Sequence, residues 1–187
     1  MPFSLSSFLK NPLYRFLLSA VGFYIVWYFV YELWLHPYDA VDLWIIKITM
    51  LSAQHILNLL GFVTFQYRVR LIGIDGTGGL WMGDNCDSIE LCGIFMGFII
   101  AFPGLWKHKL WYIPMGIVLI TIMNILRVVA LAIIQKYFSK AILEFNHSYT
   151  FTILVYGFIF LLWYIWIKKI AKGNIFKELR NTWRRAG

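Results

Sequence analysis

The stretch Leu110–Ile134, LWYIPMGIVLITIMNILRVVALAII, decides the fold of this chain. As a helix it is long enough to cross the ~30 Å hydrocarbon core of a bilayer, which needs about 20 apolar residues. Its one charged residue is Arg127. An arginine inside a membrane helix is costly and normally faces the protein interior. The stretch therefore predicts a membrane-spanning helix that carries one cation of functional interest.

The rest of the chain has the composition of a membrane protein. Hydrophobic residues make up 60% of its 187 residues, and the mean hydropathy is +0.69, whereas soluble domains are roughly 45–50% apolar. We expect a single integral-membrane domain, residues 1–187, with an all-α polytopic fold and about four membrane-spanning helices. The predicted spans are residues 13–35, 86–103, 110–136 and 147–167.

The basic residues predict the orientation of the chain. The net charge is +8, and basic residues cluster near the N-terminal segment 1–12, at Lys107 and Lys109 in the turn after Pro103-Gly104, and in the tail 168–187. The positive-inside rule places all three regions, and hence both termini, in the cytoplasm. A basic cluster beside a membrane span favours contact with anionic lipid. We therefore expect the tail to lie on the lipid bilayer and expect no nucleic-acid binding.

Two segments lie between the first and second predicted spans. Residues 39–61 are long enough to cross but carry several polar side chains, so we expect a helix in the outer interface or packed against the bundle. Residues 62–74 alternate between polar and apolar, which is typical of a half-buried strand. Asp75-Gly76 suits a tight turn, and Leu80–Met82 suits a returning strand. We expect a short extracytoplasmic β-hairpin within residues 62–84.

Three reactive side chains are predicted to lie at one membrane level. The number of residues that separates Cys86 from Pro103 equals the number that separates Leu110 from Arg127. Because both helices rise equally per residue, Cys86 and Arg127 reach the same depth. His147 is expected to open the last span on that same, extracytoplasmic side.

This combination of side chains indicates acyl-transfer chemistry. The thiolate of Cys86 is the candidate nucleophile, and a helix N-terminus, a nearby cation and a histidine each favour the thiolate. His147 is the candidate general base and acid, and Arg127 is the candidate that holds the oxyanion or positions the substrate. Asn124 shares the face of Arg127 and either orients its guanidinium or packs beside it. We expect no cofactor and no metal, because no tetrahedral ligand spacing is present.

Each of these residues also has a structural explanation. Taken alone, Cys86 is typical of a small, buried hydrophobic residue. Arg127 can form an ion pair with Glu90, which lies one turn from Cys86. On that alternative the protein is a non-enzymatic membrane scaffold or a transporter subunit. Thiol redox chemistry is a third possibility, but it needs a second nearby thiol, and Cys92 is expected on another helix face.

The chain resembles the exosortase/archaeosortase family in three motifs: Asn85-Cys86-Asp87-Ser88-Ile89-Glu90-Leu91, Asn124-Ile125-Leu126-Arg127 and Asn146-His147-Ser148. That family comprises multi-span membrane cysteine enzymes that are proposed to be transpeptidases. Their substrates are membrane-anchored proteins with a C-terminal tripartite signal, made of a short motif, an apolar span and a basic end. The resemblance implies that Cys86 is the nucleophile, that Arg127 and His147 assist it, and that the site faces outward from a bacterial cytoplasmic membrane.

One position departs from the family pattern. Family members commonly have glycine two residues after the cysteine, where this chain has Ser88, whose larger side chain is expected to crowd a close approach of the backbone. The resemblance covers roughly residues 80–167 and implies a compact member of the family. The recognised motif, the acceptor (an amine or water) and the oligomeric state stay open.

Overall fold

The computed structural model describes residues 12–31, 33, 40–83 and 88–171. Its helices and strands, in chain order, are α1 (Pro12–Val30), α2 (Ala40–Leu59), β1 (Thr64–Tyr67), β2 (Leu71–Ile74), β3 (Leu80–Trp81), α3 (Ile89–Ala101), α4 (Trp106–Tyr137), α5 (Lys140–Phe145) and α6 (Phe151–Ile165). Two π-helical turns, Asn146–Thr150 and Trp166–Ile170, join and extend the last two helices. Lys140–Ile170 is therefore one continuous helix.

Two helices in the described ranges are long and apolar enough to cross a membrane. They are α4, with 32 residues, and the continuous helix Lys140–Ile170, with 31 residues. Helices α1 and α3 are apolar but shorter within the described residues. The mostly helical fold with apolar long helices confirms the predicted class, while the count of four spans stays a prediction.

Helix α4 is central because it contributes to both hydrophobic cores. Its C-terminal half packs against α2 and β2, and its N-terminal half packs against α3 and α6. The first core contains Ile46, Met50, Ala53, Leu57, Ile72, Ile74, Met82, Val128, Val129 and Ala132. The second contains Cys92, Phe95, Ile99, Tyr112, Ile120, Val155, Ile159, Leu162, Trp166 and Ala171.

Polar contacts fix the neighbours of α4 in position. The hydroxyl of Tyr112 donates a hydrogen bond to the carbonyl of Leu162 at 2.7 Å, and Nε2 of Gln135 donates to the carbonyl of Gly79 at 2.9 Å. Because a buried polar group without a partner is costly, these bonds hold α6 and the turn before β3 against α4.

Helix α2 is packed against α4 and the sheet rather than standing apart. Its buried residues Ile46, Met50 and Leu57 belong to the first core. Near its start, Asp42 is fully buried, and its Oδ1 accepts a hydrogen bond from the hydroxyl of Tyr31 at 3.0 Å. This bond links the end of α1 to α2. The expectation that α2 does not cross the membrane stays a prediction.

The sheet has three antiparallel strands in the order β1-β2-β3. The predicted turn at Asp75-Gly76 and the returning strand at Leu80 are present. The expectation of one strand over residues 62–74 is wrong, because the chain reverses at residues 68–70, with Arg68 at a φ of 54°. The predicted two-stranded hairpin is therefore the second half of a three-stranded sheet.

The α3–α4 turn is shorter than the sequence pattern predicts. Helix α4 begins at Trp106, so Lys107 and Lys109 lie in its first turn rather than in an open loop. Lys109 is 4% exposed, and its Nζ donates a hydrogen bond to the carbonyl of Ile100 at 2.8 Å. This lysine satisfies a carbonyl at the C-terminal end of α3, a position where a cation is stabilising.

Candidate active site

Arg127 lies on α4 between the two hydrophobic cores. Val128 and Val129, which follow it, belong to the first core, while Ile120 belongs to the second. Asn124, about one turn before Arg127, is 2% exposed. Two pockets meet at Arg127, and each joins it to a different part of the chain.

The smaller pocket, of about 40 Å³, lies between the sheet and the last helix. Its lining residues are Met50, Leu80, Trp81, Met82, Asn124, Arg127, Val128, Leu131 and His147. The positive charge of Arg127 also acts electrostatically on His147. The structure thus brings the predicted arginine, histidine and asparagine to one pocket.

The larger pocket, of about 150 Å³, lies between α3, α4 and α6. Ser88 and Glu90, at the start of α3, line it together with Arg127. Ser88, two residues after Cys86, thus shares a pocket with Arg127, while the predicted match in depth between Cys86 and Arg127 stays a prediction. Cys86 itself lies outside the described residues, as do Asp84, Asn85 and Asp87.

The setting of His147 differs from the predicted one. The last helix begins at Lys140, so His147 does not open it but lies in the π-helical turn Asn146–Thr150. In that turn the N–H of Phe151 bonds to the carbonyl of Asn146, five residues earlier. Such turns occur frequently at functional sites because they change the direction of one side chain within a helix. His147 is exposed and lies at the rim of the smaller pocket.

Ser88 has a left-handed backbone, with a φ of 72° and a ψ of 2°. It is 6% exposed and directly precedes α3. Left-handed geometry costs a residue with a Cβ roughly 1–2 kcal/mol, and glycine adopts it freely. A preference for glycine at this position therefore has a conformational explanation, in addition to the predicted crowding.

Replacing Ser88 with glycine is expected to raise the free energy of unfolding by about 1 kcal/mol, because glycine removes the left-handed strain. Thermal unfolding in detergent measures the effect as a higher midpoint. A glycine at Ser148, which is exposed and helical, is the matched control and is expected to lower the midpoint. Equal destabilisation by both substitutions would contradict the strain at Ser88.

A third cleft, of about 390 Å³, lies between α1 and α3 and was not predicted from the sequence. Aromatic side chains of α1 face Gly93 and Gly97 across it, and a Cβ at Gly93 would lie 2.5 Å from Cε2 of Trp27. Glu90 lines both this cleft and the larger pocket beside Arg127. The two glycines, four residues apart on α3, were the sequence signal for this close approach.

A comparison with models of protein families assigns the chain to a family. A model of the transmembrane exosortase family matches residues 3–169, well over half of the sequence. The chain belongs to the transmembrane exosortase family. This family is a cysteine-type membrane transpeptidase family, which confirms the resemblance drawn from the three motifs. Curated proteins and solved structures gave no match.

The family match reaches beyond the motifs of this exosortase-family chain. It begins at residue 3, so it includes α1, α2 and the sheet, whereas the motifs lie within residues 80–167. The sheet and the α1–α3 cleft are accordingly parts of the family domain. Within the described residues, no group of three or more histidine, cysteine or acidic side chains is placed to hold a metal ion.

Proposed function

We propose that this protein is a membrane-embedded cysteine transpeptidase or protease of the bacterial cytoplasmic membrane. It cleaves the C-terminal sorting signal of exported, membrane-anchored proteins at the outer face of the membrane. The observation that carries the proposal is the position of Arg127, which lines one pocket with Asn124 and His147 and another with Ser88 at the start of α3. A guanidinium so placed shares a pocket with the candidate base and another with Ser88, which lies two residues after the candidate nucleophile.

The covalent chain supports a role for Cys86 at this position. Two peptide units separate Cys86 from Ser88, so their Cα atoms lie within about 7.6 Å of each other. Ser88 lines the pocket that contains Arg127. The N-terminal end of α3 carries partial positive charge, and that charge together with Arg127 favours a thiolate.

The proposed reaction has two steps. His147 takes the proton of the Cys86 thiol, and the sulfur attacks the carbonyl carbon of the scissile peptide bond. The resulting oxyanion lies against Arg127, the C–N bond breaks, and the leaving amine takes the proton from His147. This leaves a thioester on Cys86. An amine or water, deprotonated by His147, then attacks the thioester. The C–S bond breaks, and the leaving sulfur takes the proton back from His147, which restores the Cys86 thiol.

The charge pattern supports a proposed orientation of the chain, and the family resemblance implies the class of partner. We propose that both termini are cytoplasmic, with the tail 168–187 on anionic lipid, and that the site opens to the extracytoplasmic side. The partner is a membrane-anchored protein that carries a short motif, an apolar span and a basic end. The apolar cleft between α1 and α3 supports such a substrate because Glu90 joins it to the pocket beside Arg127.

Mass spectrometry of exported proteins tests the proposal. Membrane and envelope proteins are compared between wild-type host cells, cells that lack the protein, and cells complemented with it. We expect a set of proteins whose C-termini end before an apolar segment only when the protein is present. Identical C-termini in all three strains would overturn the proposal.

A specific observation also favours the structural alternative, since Glu90 and Arg127 line the same pocket. On that reading the chain is a scaffold or transporter subunit and Cys86 is dispensable. Labelling with a membrane-impermeant thiol reagent separates the two readings, with the buried Cys92 as the internal reference. Labelling of Cys86 faster than a simple thiol at neutral pH supports the enzyme, and an inert Cys86 supports the scaffold.

A further inference from the structure

We propose that the open edge of β3 binds an extended segment of the substrate polypeptide as a fourth strand. Trp81 supplies the main-chain hydrogen bonds for that strand. The inference rests on the proposed function for the existence of a polypeptide substrate. It adds the surface that holds the substrate and the conformation in which the substrate is held.

The pairing of β3 shows which main-chain groups face the open side. In the described part of the chain, the order β1-β2-β3 makes β3 an edge strand. The N–H of Met82 donates to the carbonyl of Arg70 at 2.8 Å, so the main chain of Met82 faces β2. In an antiparallel ladder this direction alternates from residue to residue. The N–H and C=O of Trp81, paired opposite Leu71, therefore point away from β2.

The same edge borders the candidate active site. Leu80, Trp81 and Met82 line the pocket that also contains Arg127 and His147. A strand added beside Trp81 therefore lies next to a residue of the pocket that also contains Arg127 and His147. An extended backbone is the ligand that offers a donor and an acceptor in the alternating pattern this edge requires. The pairing thus keeps the substrate backbone extended beside the candidate active site, where the carbonyl of the scissile peptide bond has to reach the nucleophile.

The edge is short, which limits the length of the segment it holds. On the N-terminal side of β3, the carbonyl of Gly79 already accepts a hydrogen bond from Gln135. One outward residue, Trp81, therefore provides one donor and one acceptor. An edge of this length pairs with about three residues of an extended chain. This matches a short recognition motif better than a long one.

The opposite edge of the sheet supplies a matched control. On β1, the N–H of Asp75 donates to the carbonyl of Val63 at 2.8 Å, so by the same alternation the main chain of Gln66 points away from β2. No residue of β1 lines either pocket that contains Arg127. The main chain of Gln66 therefore points away from β2, like that of Trp81, but Gln66 does not line a pocket that contains Arg127.

Proline substitution tests the hydrogen bond at this edge. Trp81→Pro removes an outward N–H and leaves the ladder to β2 intact, whereas Trp81→Val keeps the N–H and removes the indole. Cells that carry Cys86→Ala first identify host proteins that accumulate uncleaved, and those proteins serve as the probe. We expect Trp81→Pro to slow their processing by about tenfold relative to Trp81→Val, which accounts for the loss of the indole, while Gln66→Pro stays within about threefold of the wild-type rate.

A peptide experiment keeps the test decisive if the proline variant does not fold. Synthetic peptides that span the cleavage site of one accumulated protein carry an ester in place of each amide in turn. With the purified wild-type protein, we expect KM to rise about tenfold for the ester at one position, the one whose N–H donates to the carbonyl of Trp81. Esters at the two neighbouring positions should change KM little, because only alternate groups of a strand face the edge. Equal effects of the esters at these three neighbouring positions would overturn strand addition.

The outcomes also separate this inference from the proposed function. If processing continues undiminished with Cys86→Ala, the proposed function fails. If Cys86→Ala stops processing but Trp81→Pro and the ester peptides are neutral, only strand addition fails. A change in oligomeric state with Trp81→Pro, at an unchanged processing rate, would assign the edge to a second copy of the chain and would also overturn the inference.

Discussion

Cells in which Cys86 is replaced by alanine are expected to lose processing of sorting signals, with a fall in rate of at least about a thousandfold. The expectation is this large because the thiol forms the covalent intermediate in the proposed reaction, and alanine supplies no nucleophile. The measurement is the ratio of cleaved to uncleaved C-termini by mass spectrometry. Full-length substrates, with their apolar segment and basic end, should accumulate in the membrane.

Cys92→Ala is the matched control for this experiment. Cys92 is also a cysteine and lies on α3, six residues after Cys86 in the chain, but it is buried in the second core. Its loss removes one sulfur from a packed interior and is expected to cost at most about 1–2 kcal/mol of stability, with processing retained. Undiminished cleavage with Cys86→Ala, or an equal loss with both variants, would show that Cys86 is not the nucleophile.

The long apolar helix α4 could be predicted from the sequence because its signal is local. An uninterrupted apolar run has few alternatives to a helix in a membrane. The convergence of Arg127 with the start of α3 was also predictable, since counting residues from a shared turn fixes relative depth on two helices. Both inferences needed only helix geometry and the positions of charged residues.

The break between β1 and β2 could not be predicted from alternation. Three residues separate Tyr67 from Leu71, and these two residues pair across the turn. Paired residues point to the same face of a sheet, and positions 67 and 71 have the same parity. The alternation of polar and apolar side chains therefore continues through the turn as if the strand were unbroken.

The surroundings of Ser88 and His147 depended on backbone geometry that side-chain type does not encode. A left-handed φ at Ser88 contradicts the ordinary backbone preference of serine. The π-helical turn at His147 lies inside one continuous helix, Lys140–Ile170. The cleft between α1 and α3 depended on which helices become neighbours. These features follow from tertiary packing, so the sequence pattern did not predict them. The assignment of Cys86, Arg127 and His147 as catalytic residues stays a prediction.

Replacing Arg127 with methionine is expected to lower the rate of processing by about 10²–10³-fold. A single donor to an oxyanion has this effect in other acyl-transfer enzymes, and Arg127 lies between the two pockets that hold Ser88 and His147. Arg127→Lys keeps the charge but loses the planar fork, so it should retain part of the activity. Single-turnover kinetics should show a lower rate of acylation with little change in KM.

A purely structural role for Arg127 within an active enzyme makes a different prediction for the same residue. If Arg127 serves only to neutralise Glu90, Arg127→Met leaves a carboxylate without compensation and destabilises the protein. The double variant Arg127→Met, Glu90→Gln would then restore both stability and processing. If Arg127 stabilises the reaction's oxyanion, the double variant restores the unfolding midpoint at most, and processing stays low. Recovery of processing in the double variant would therefore contradict the catalytic role assigned to Arg127.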